Sequence, residues 1–282
     1  MPSPSHSAAA PTAGPPRRAR PPVPAVARAL TLLERLAAQR APMSLSRLAS
    51  DLALPKSSVH GLCSTLVSFG YLRRQTDGAF LIGPRVMGLA EAFVAATGAA
   101  QEFDALWRDA TPAPDETLVL SVLDGAEVVY VAVRHGMRPL ALSFNVGMRL
   151  PAHLAASGKA LLAHAGADAV KRLYADGALS RLTRHGPASL QALLAELAET
   201  RARGHSLDDE GVREGVCGIG APVFGASGTA VAGIALCLHK ADDRAALRRR
   251  HVRTVLDAAG ALSRRLGGNG APAAGSTAEA RS

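Results

Sequence analysis

At 282 residues, with 48% apolar side chains and three cysteines, the chain is long enough for two ordinary domains and too poor in cysteine for a disulfide scaffold. No apolar run approaches the ~18 to 20 residues of a membrane span, and the N-terminus lacks a hydrophobic signal core, so membrane and secreted classes are excluded and a reducing cytoplasm is expected. The net charge of +9 is uneven: Met1–Gly98 holds 11 Lys and Arg against 4 Asp and Glu, whereas Ala99–Ser282 holds 21 against 19, the footprint of a nucleic-acid module at the N-terminal end.

Residues 1–22 are mainly Pro, Ala, Ser and Arg and are expected to form a disordered basic arm carrying Arg17, Arg18 and Arg20. From Pro24 to Gln39, Val26, Ala29, Leu30, Leu33, Leu36 and Ala37 recur at helical spacing and predict a first helix. Ser44 is a good N-cap for a second, with Leu45, Leu48, Ala49 and Leu52 at i, i+3, i+4 and i+7. After the turn Ala53-Leu54, Pro55 can open a third helix, because a first-turn residue needs no N–H. Val59, Leu62, Cys63, Leu66 and Val67 form its inward face. The outward face is Ser57, Ser58, His60, Gly61, Ser64 and Thr65, with Pro55 and Lys56 at its start. These groups carry no bulk to keep a helix out of a major groove ~12 Å wide.

Beyond Gly70 the period becomes strand-like, Tyr71–Arg74 and Phe80–Ile82 flanking Asp77-Gly78, a hairpin signal. A hairpin directly after such a helix is the wing of a winged helix-turn-helix over 23–83. Its Arg73 and Arg74 are placed to meet backbone phosphates, and a double-stranded DNA operator is the expected partner.

Pro84 opens a linker helix within 84–98, with Val86, Leu89, Ala90 and Phe93 on one side; a dimer element and a helix packed on its own domain are both open. Over 99–266 strands are predicted at Thr117–Leu123, Glu127–Val133, Leu140–Phe144, Gly218–Phe224 and Ala230–Leu238. Helices are predicted from near Ser157, over Ser189–Arg203 and over Arg244–Leu266. Antiparallel strands flanked by helices describe an α+β sensor-like domain, followed by a disordered tail over 267–282.

Several stretches, in this order and spacing, resemble the IclR family of bacterial transcriptional regulators across residues 23–266. They are Val26–Glu34, Leu54–His60, Gly70–Leu72, Arg149–His153 with Gly158–Leu162, and Gly204–Glu210 followed by Ala221–Val223. The resemblance implies a winged helix-turn-helix joined by a linker helix to a GAF-like effector-binding domain, assembled as homodimers or homotetramers. It also implies that Leu142, Ala156, Ser157, Asp208, Val216 and Gly218 line the effector cavity. Three positions depart from the family pattern. Gly61 stands where a large basic residue is usual on the recognition helix, Gly211 replaces a Glu, and Gly218 replaces a pocket Cys, which predicts a roomier cavity admitting a bulkier acid.

The N–H groups of Ala156, Ser157 and Gly158 open a helix at its positive end, which favours a carboxylate. The expected effector is therefore a small organic or aromatic acid. Asp208 in such a site must accept a bond from a ligand hydroxyl or hold a loop amide. Ser157 and Lys159 suggest a Ser-Lys nucleophile, but side chains two apart on a helix do not face each other, so no catalytic residue is assigned. An enzyme fused to a DNA-binding module is the competing class. Gly225-Ala-Ser-Gly228 lacks the lysine and spacing of a phosphate loop. His205, Asp208, Asp209, Glu210 and Cys217 are metal-ligand types without paired spacing, so no metal or cofactor is assigned and a metal-responsive regulator is kept as an alternative.

Overall fold

The computed structural model describes residues 23–108, 115–137, 140, 143–175 and 179–268. The expected arm over 1–22, Leu142, and the expected tail beyond Gly268 lie outside them. The chain divides into two compact units, Met1–Glu91 and Ala92–Ser282.

In the first unit, α1 (Pro24–Gln39), α2 (Leu45–Asp51) and α3 (Lys56–Ser68) precede the antiparallel ribbon of β1 (Leu72–Arg74) and β2 (Phe80–Ile82). Leu32, Leu36, Leu48, Val59, Cys63, Leu72 and Phe80 form one buried core. The face of α1 differs from the sequence expectation. Leu32 and Leu36, one turn apart, enter the core, whereas Val26 and Leu30 are each 55% exposed. The apolar residues of α1 wrap too far round the helix for one neighbour to cover them all.

Local chemistry sets the joints. Ser44 Oγ accepts the Arg47 N–H at 3.2 Å and caps α2. Both α2 and α3 end in a Schellman arrangement: Leu54 N–H donates to Ala49 O and Ala53 N–H to Ser50 O, then Tyr71 N–H to Leu66 O and Gly70 N–H to Val67 O. Gly70 takes the left-handed position without strain, while Ala53 occupies it at φ 51°. Pro55 is the N-cap of α3, one position before the expected start. Asp51 receives Arg35 at 2.9 Å and Arg47 at 3.0 Å, tying α1 to α2. The Arg35 bond chiefly holds the Asp51 carboxyl below its ordinary range.

The helix α4 (Arg85–Thr97) leads to α5 (Ala99–Arg108) in the second unit. Of the stripe expected on α4, Leu89, Ala90 and Phe93 are exposed. A six-stranded antiparallel sheet follows, in the order β5-β4-β3-β8-β7-β6. Its strands are β3 (Thr117–Asp124), β4 (Glu127–Arg134), β5 (Arg149–Pro151), β6 (Ser206–Asp209), β7 (Val216–Phe224) and β8 (Ala230–His239). One face carries α5 and α9 (Ala245–Arg265) over Phe103, Leu120, Ile234 and Leu262. The other carries α6 (Ala156–Ala165), α7 (Ala167–Leu173) and α8 (Leu190–Arg203) over Val128, Leu162 and Leu193. The strand expected at Leu140–Phe144 is absent from the described residues of that run; Phe144 instead tucks its ring against Tyr130 at 5.7 Å, and β5 forms the edge. Gly267 and Gly268, expected to begin the tail, belong to the fold, bridging Gly225 and donating to Ser263 O. Among the described residues no helix is long and apolar enough to cross a membrane.

Candidate functional sites: a groove-facing helix and a buried cavity

On α3, Lys56, Ser57, Ser58, His60, Gly61, Ser64 and Thr65 are all exposed, as is Pro55 before them, while Val59 and Cys63 are buried on the opposite side. A Cβ at Gly61 would meet nothing within 4 Å. Gly61 therefore leaves a notch in the outward face that no packing requires. The hydroxyl of Thr65 donates to Gly61 O at 3.0 Å, so its proton is already engaged, whereas Ser57 and Ser64 keep theirs for an outside partner.

The wing turn is closed by Gly78 N–H donating to Gln75 O and by Ala79 N–H donating to Asp77 Oδ1 at 2.9 Å. Gly78 supplies the positive φ of 85° that the turn needs. Arg73 and Arg74 are both exposed but, as strand neighbours, point to opposite faces. Arg74 lies over the Phe80 ring, 5.8 Å from its centroid. Arg73 has no such tether among the described residues.

In the second unit, Ala156, Asp208, Val216 and Gly218 line a single buried cavity enclosing about 280 Å³. Tyr130 and Phe144 close one side of it, and Ala235 and Cys237 on β8 form the floor with Val212 above. These were missed in the sequence. Alternation along β4 and β8, which puts Val128 with Tyr130 and Ala235 with Cys237 on one face, was the signal that could have found the floor. The cavity is contracted, with space for about one water, so the roomier pocket expected from Gly218 is not what the structure shows. A Cβ at Gly218 would come within 3.0 Å of Ala156 Cβ and 3.5 Å of Asp208 Cβ. The volume a cysteine would fill is taken up by the approach of α6.

Ser157 and Gly158 stand outside that cavity. Ser157 is fully buried and its Oγ accepts from Ser121 Oγ on β3 at 2.8 Å. Gly158 is glycine because a Cβ there would fall 2.4 Å from Ala152 O. Lys159, 4% exposed, donates to Glu196 Oε1 at 2.6 Å and to Leu207 O at 3.0 Å, across the helix from Ser157. The Ser-Lys pairing has no geometric basis.

Asp208 Oδ1 accepts the Gly211 N–H at 2.7 Å, holding the loop between β6 and β7. A Cβ at Gly211 would sit 2.9 Å from that same oxygen, so the close approach demands glycine. Burial pushes the Asp208 carboxyl up to about 7, against the pull of Lys159 and the loop amides. Burial likewise raises the Tyr130 phenol and the Cys237 thiol, each lifted further by neighbouring negative charge. The other metal-ligand types of this loop go separate ways: Asp209 pairs with Lys240 and accepts from Cys217 Sγ, and Glu210 takes the Gly215 N–H at 2.8 Å. Among the described residues no group of three His, Cys, Asp or Glu side chains is arranged to hold a metal.

Residues 25–76 match the family model of the IclR helix-turn-helix domain, and residues 97–264 match that of the bacterial transcriptional regulator IclR C-terminal region. The HTH-type transcriptional regulator XynR of Escherichia coli (strain K12) is 30% identical over 245 residues, covering 86% of this chain and 96% of that protein. The crystal structure of the Agobacterium tumefaciens repressor BlcR shares 35% identity at a TM-score of 0.58, covering 88% of this chain and 98% of that one. An IclR homologue from Microbacterium hydrocarbonoxydans, crystallised with 4-hydroxybenzoate, superposes with a TM-score of 0.71 at 23% identity over 86% of this chain and 98% of that one, a likeness of fold.

Proposed function

Because this chain belongs to the IclR family of bacterial transcriptional regulators, we propose that α3 reads an operator and that the cavity beside Asp208 holds a small carboxylic acid that changes operator affinity. The observation that carries the DNA half is the outward face of α3: Ser57, His60 and Ser64 are exposed with no packing role. They reach base edges, while Arg73 and Arg74 on the wing meet phosphates. The exposed apolar residues Val23, Val26 and Leu30 on α1, and Met87, Leu89 and Phe93 on α4, are the surface a second copy would cover. A homodimer then presents two recognition helices to half-sites one or more turns apart, in the cytoplasm. A homotetramer repeats the same unit.

For the effector half, the positive end of α6 attracts a carboxylate. Asp208 supports it in the protonated form that burial favours, donating to the ligand while its other oxygen keeps the Gly211 amide. The 4-hydroxybenzoate of the structural neighbour has this chemistry. Since the cavity is contracted, a ligand must push Phe144 or the Val212 loop outward, and that displacement is what couples it to DNA. We assign no catalysis, because Ser157 and Lys159 are each committed to structural partners.

Gel shifts on selected operator DNA test the first half. Ser57→Ala or Ser64→Ala should each weaken specific binding by ~1 to 3 kcal/mol with unfolding unchanged; unaltered affinity in both removes α3 as the reader. Calorimetry of 4-hydroxybenzoate and short aliphatic acids, with and without operator, tests the second. Coupling is reciprocal, so equal affinities in both titrations reject effector control, and affinity should fall as pH rises past about 7 where Asp208 ionises.

A further inference from the structure

The second unit has a larger cavity that neither the DNA face nor the effector cavity uses. It encloses about 660 Å³ where the ends of β3 and β8 meet α9. His251 of α9 lines it and is 4% exposed. Its Nε2 stands 2.8 Å from Glu116 Oε1, and its Nδ1 has no partner at all. With Nε2–H donated to the carboxylate, Nδ1 is a buried lone pair facing no donor, which costs ~1 to 3 kcal/mol unless something supplies one. The chain keeps that cost next to a cavity, where a ligand can remove it.

The rest of the lining says what kind of donor. Asp115 and Glu116 bring negative charge to one end, while Leu238 and Leu247 give an apolar wall and Arg250 stands at the rim. We propose that this cavity is a second small-molecule site, specific for a short apolar compound bearing a primary ammonium group, which donates to His251 Nδ1 and pairs with Glu116. An ammonium supplies three donors and one positive charge, matching an orphaned acceptor beside a carboxylate. A few converging polar groups in an apolar hollow of this size are the usual form of a ligand site. Cys237 lines both this cavity and the one beside Asp208, so β8 is a shared wall between the two. The proposal does not depend on what occupies the effector cavity.

Calorimetry on the full chain tests it, with isopentylamine and leucine as probes, on wild type, Glu116→Gln and Leu247→Trp. Isopentylamine should bind saturably at millimolar concentration, one per chain. Both variants should weaken it at least about tenfold: the first removes the charge but keeps an acceptor for His251, and the second fills the hollow from a position 39% exposed. Leucine binding more tightly than isopentylamine identifies the ligand as an amino acid whose carboxylate meets Arg250; equal or weaker binding identifies a simple amine, and each carries the proposal. No saturable binding of isopentylamine, or binding unchanged in Leu247→Trp, overturns it. If circular dichroism shows Glu116→Gln unfolded, Leu247→Trp decides alone.

Discussion

Helices α3 and α6 draw on the same small residues and use them in opposite ways. In α3, Ser57, Ser64, Gly61 and Lys56 face outward; in α6, Ser157, Gly158 and Lys159 are all buried. A Cβ at Gly61 meets nothing, whereas one at Gly158 meets Ala152 O at 2.4 Å. Smallness at α3 leaves a surface shaped for another molecule. Smallness at α6 lets a helix press directly onto a sheet, with Gly220 and Gly233 making the same concession from β7 and β8 toward Ala156 O and Ser157 O. Identical residue types thus say nothing about exposure until the neighbouring layer is known.

The largest expected effect comes from a pair of carboxylates that titrate in opposite directions. Asp208 is raised to about 7 by burial, so it binds its proton more tightly folded than unfolded. Its contribution is full below the ordinary carboxylate range and is lost as pH rises toward about 7. Asp51, held low by Arg35 and Arg47, contributes above that range and loses its contribution as pH falls. Urea unfolding between pH 4 and 8 should therefore show the second unit weakening where the first does not, and Asp208→Asn should flatten that trend. A trend that survives the substitution places its origin elsewhere.

Lys159→Ala breaks a pair whose lysine is buried and whose Glu196 is partly exposed. Loss of about 3 kcal/mol is expected in the second unit, against less than ~0.5 kcal/mol for the exposed Lys56→Ala, measured by urea unfolding. Equal costs would erase the contrast between the helices. Next in size, Gly158→Ala should destabilise by ~1 to 3 kcal/mol through overpacking, while Gly61→Ala should stabilise by ~0.5 to 1 kcal/mol, since Ala is the better helix former in open space. Thermal melts showing the same sign for both would contradict the two environments.

The smallest effect is at the wing. Each phosphate neutralised contributes about 0.9 to the slope of log K against log salt. Arg73→Ala should lower the slope by that amount, and Arg74→Ala by less, because the Phe80 ring holds its guanidinium at the far face of the strand. Filter binding across a salt series gives both numbers; equal reductions would mean that Arg74 leaves the ring on DNA.

Much of the first unit was legible because its signals are local. The Ser44 cap, the period of Val59, Leu62 and Cys63, and the Asp77-Gly78 turn each operate within one or two turns of chain, and three short helices with a ribbon leave little choice of arrangement. The face of α1 was not legible, since its apolar residues span more than one possible stripe and only contact with α3 selects Leu32 and Leu36. In the second unit the long strands at Thr117, Glu127 and Ala230 could be read from alternation. The three-residue β5 and four-residue β6 could not, being too short to show a period.

The cavity was legible by position and not by shape. Sequence alone determined that Asp208 and Gly218 belong near the start of a helix rich in small residues, and that one unit carries excess positive charge above a face of serines. Tertiary structure decided that Ser157 turns to Ser121, that Ala156 fills the space Gly218 vacates, and that Asp208 takes the Gly211 amide. The reason is physical: caps, turns and periodicities depend on residues a few places apart, whereas the depth of a cavity depends on how far a helix sinks into a sheet. That distance is set by glycines on β7 and β8 more than fifty residues downstream of the helix.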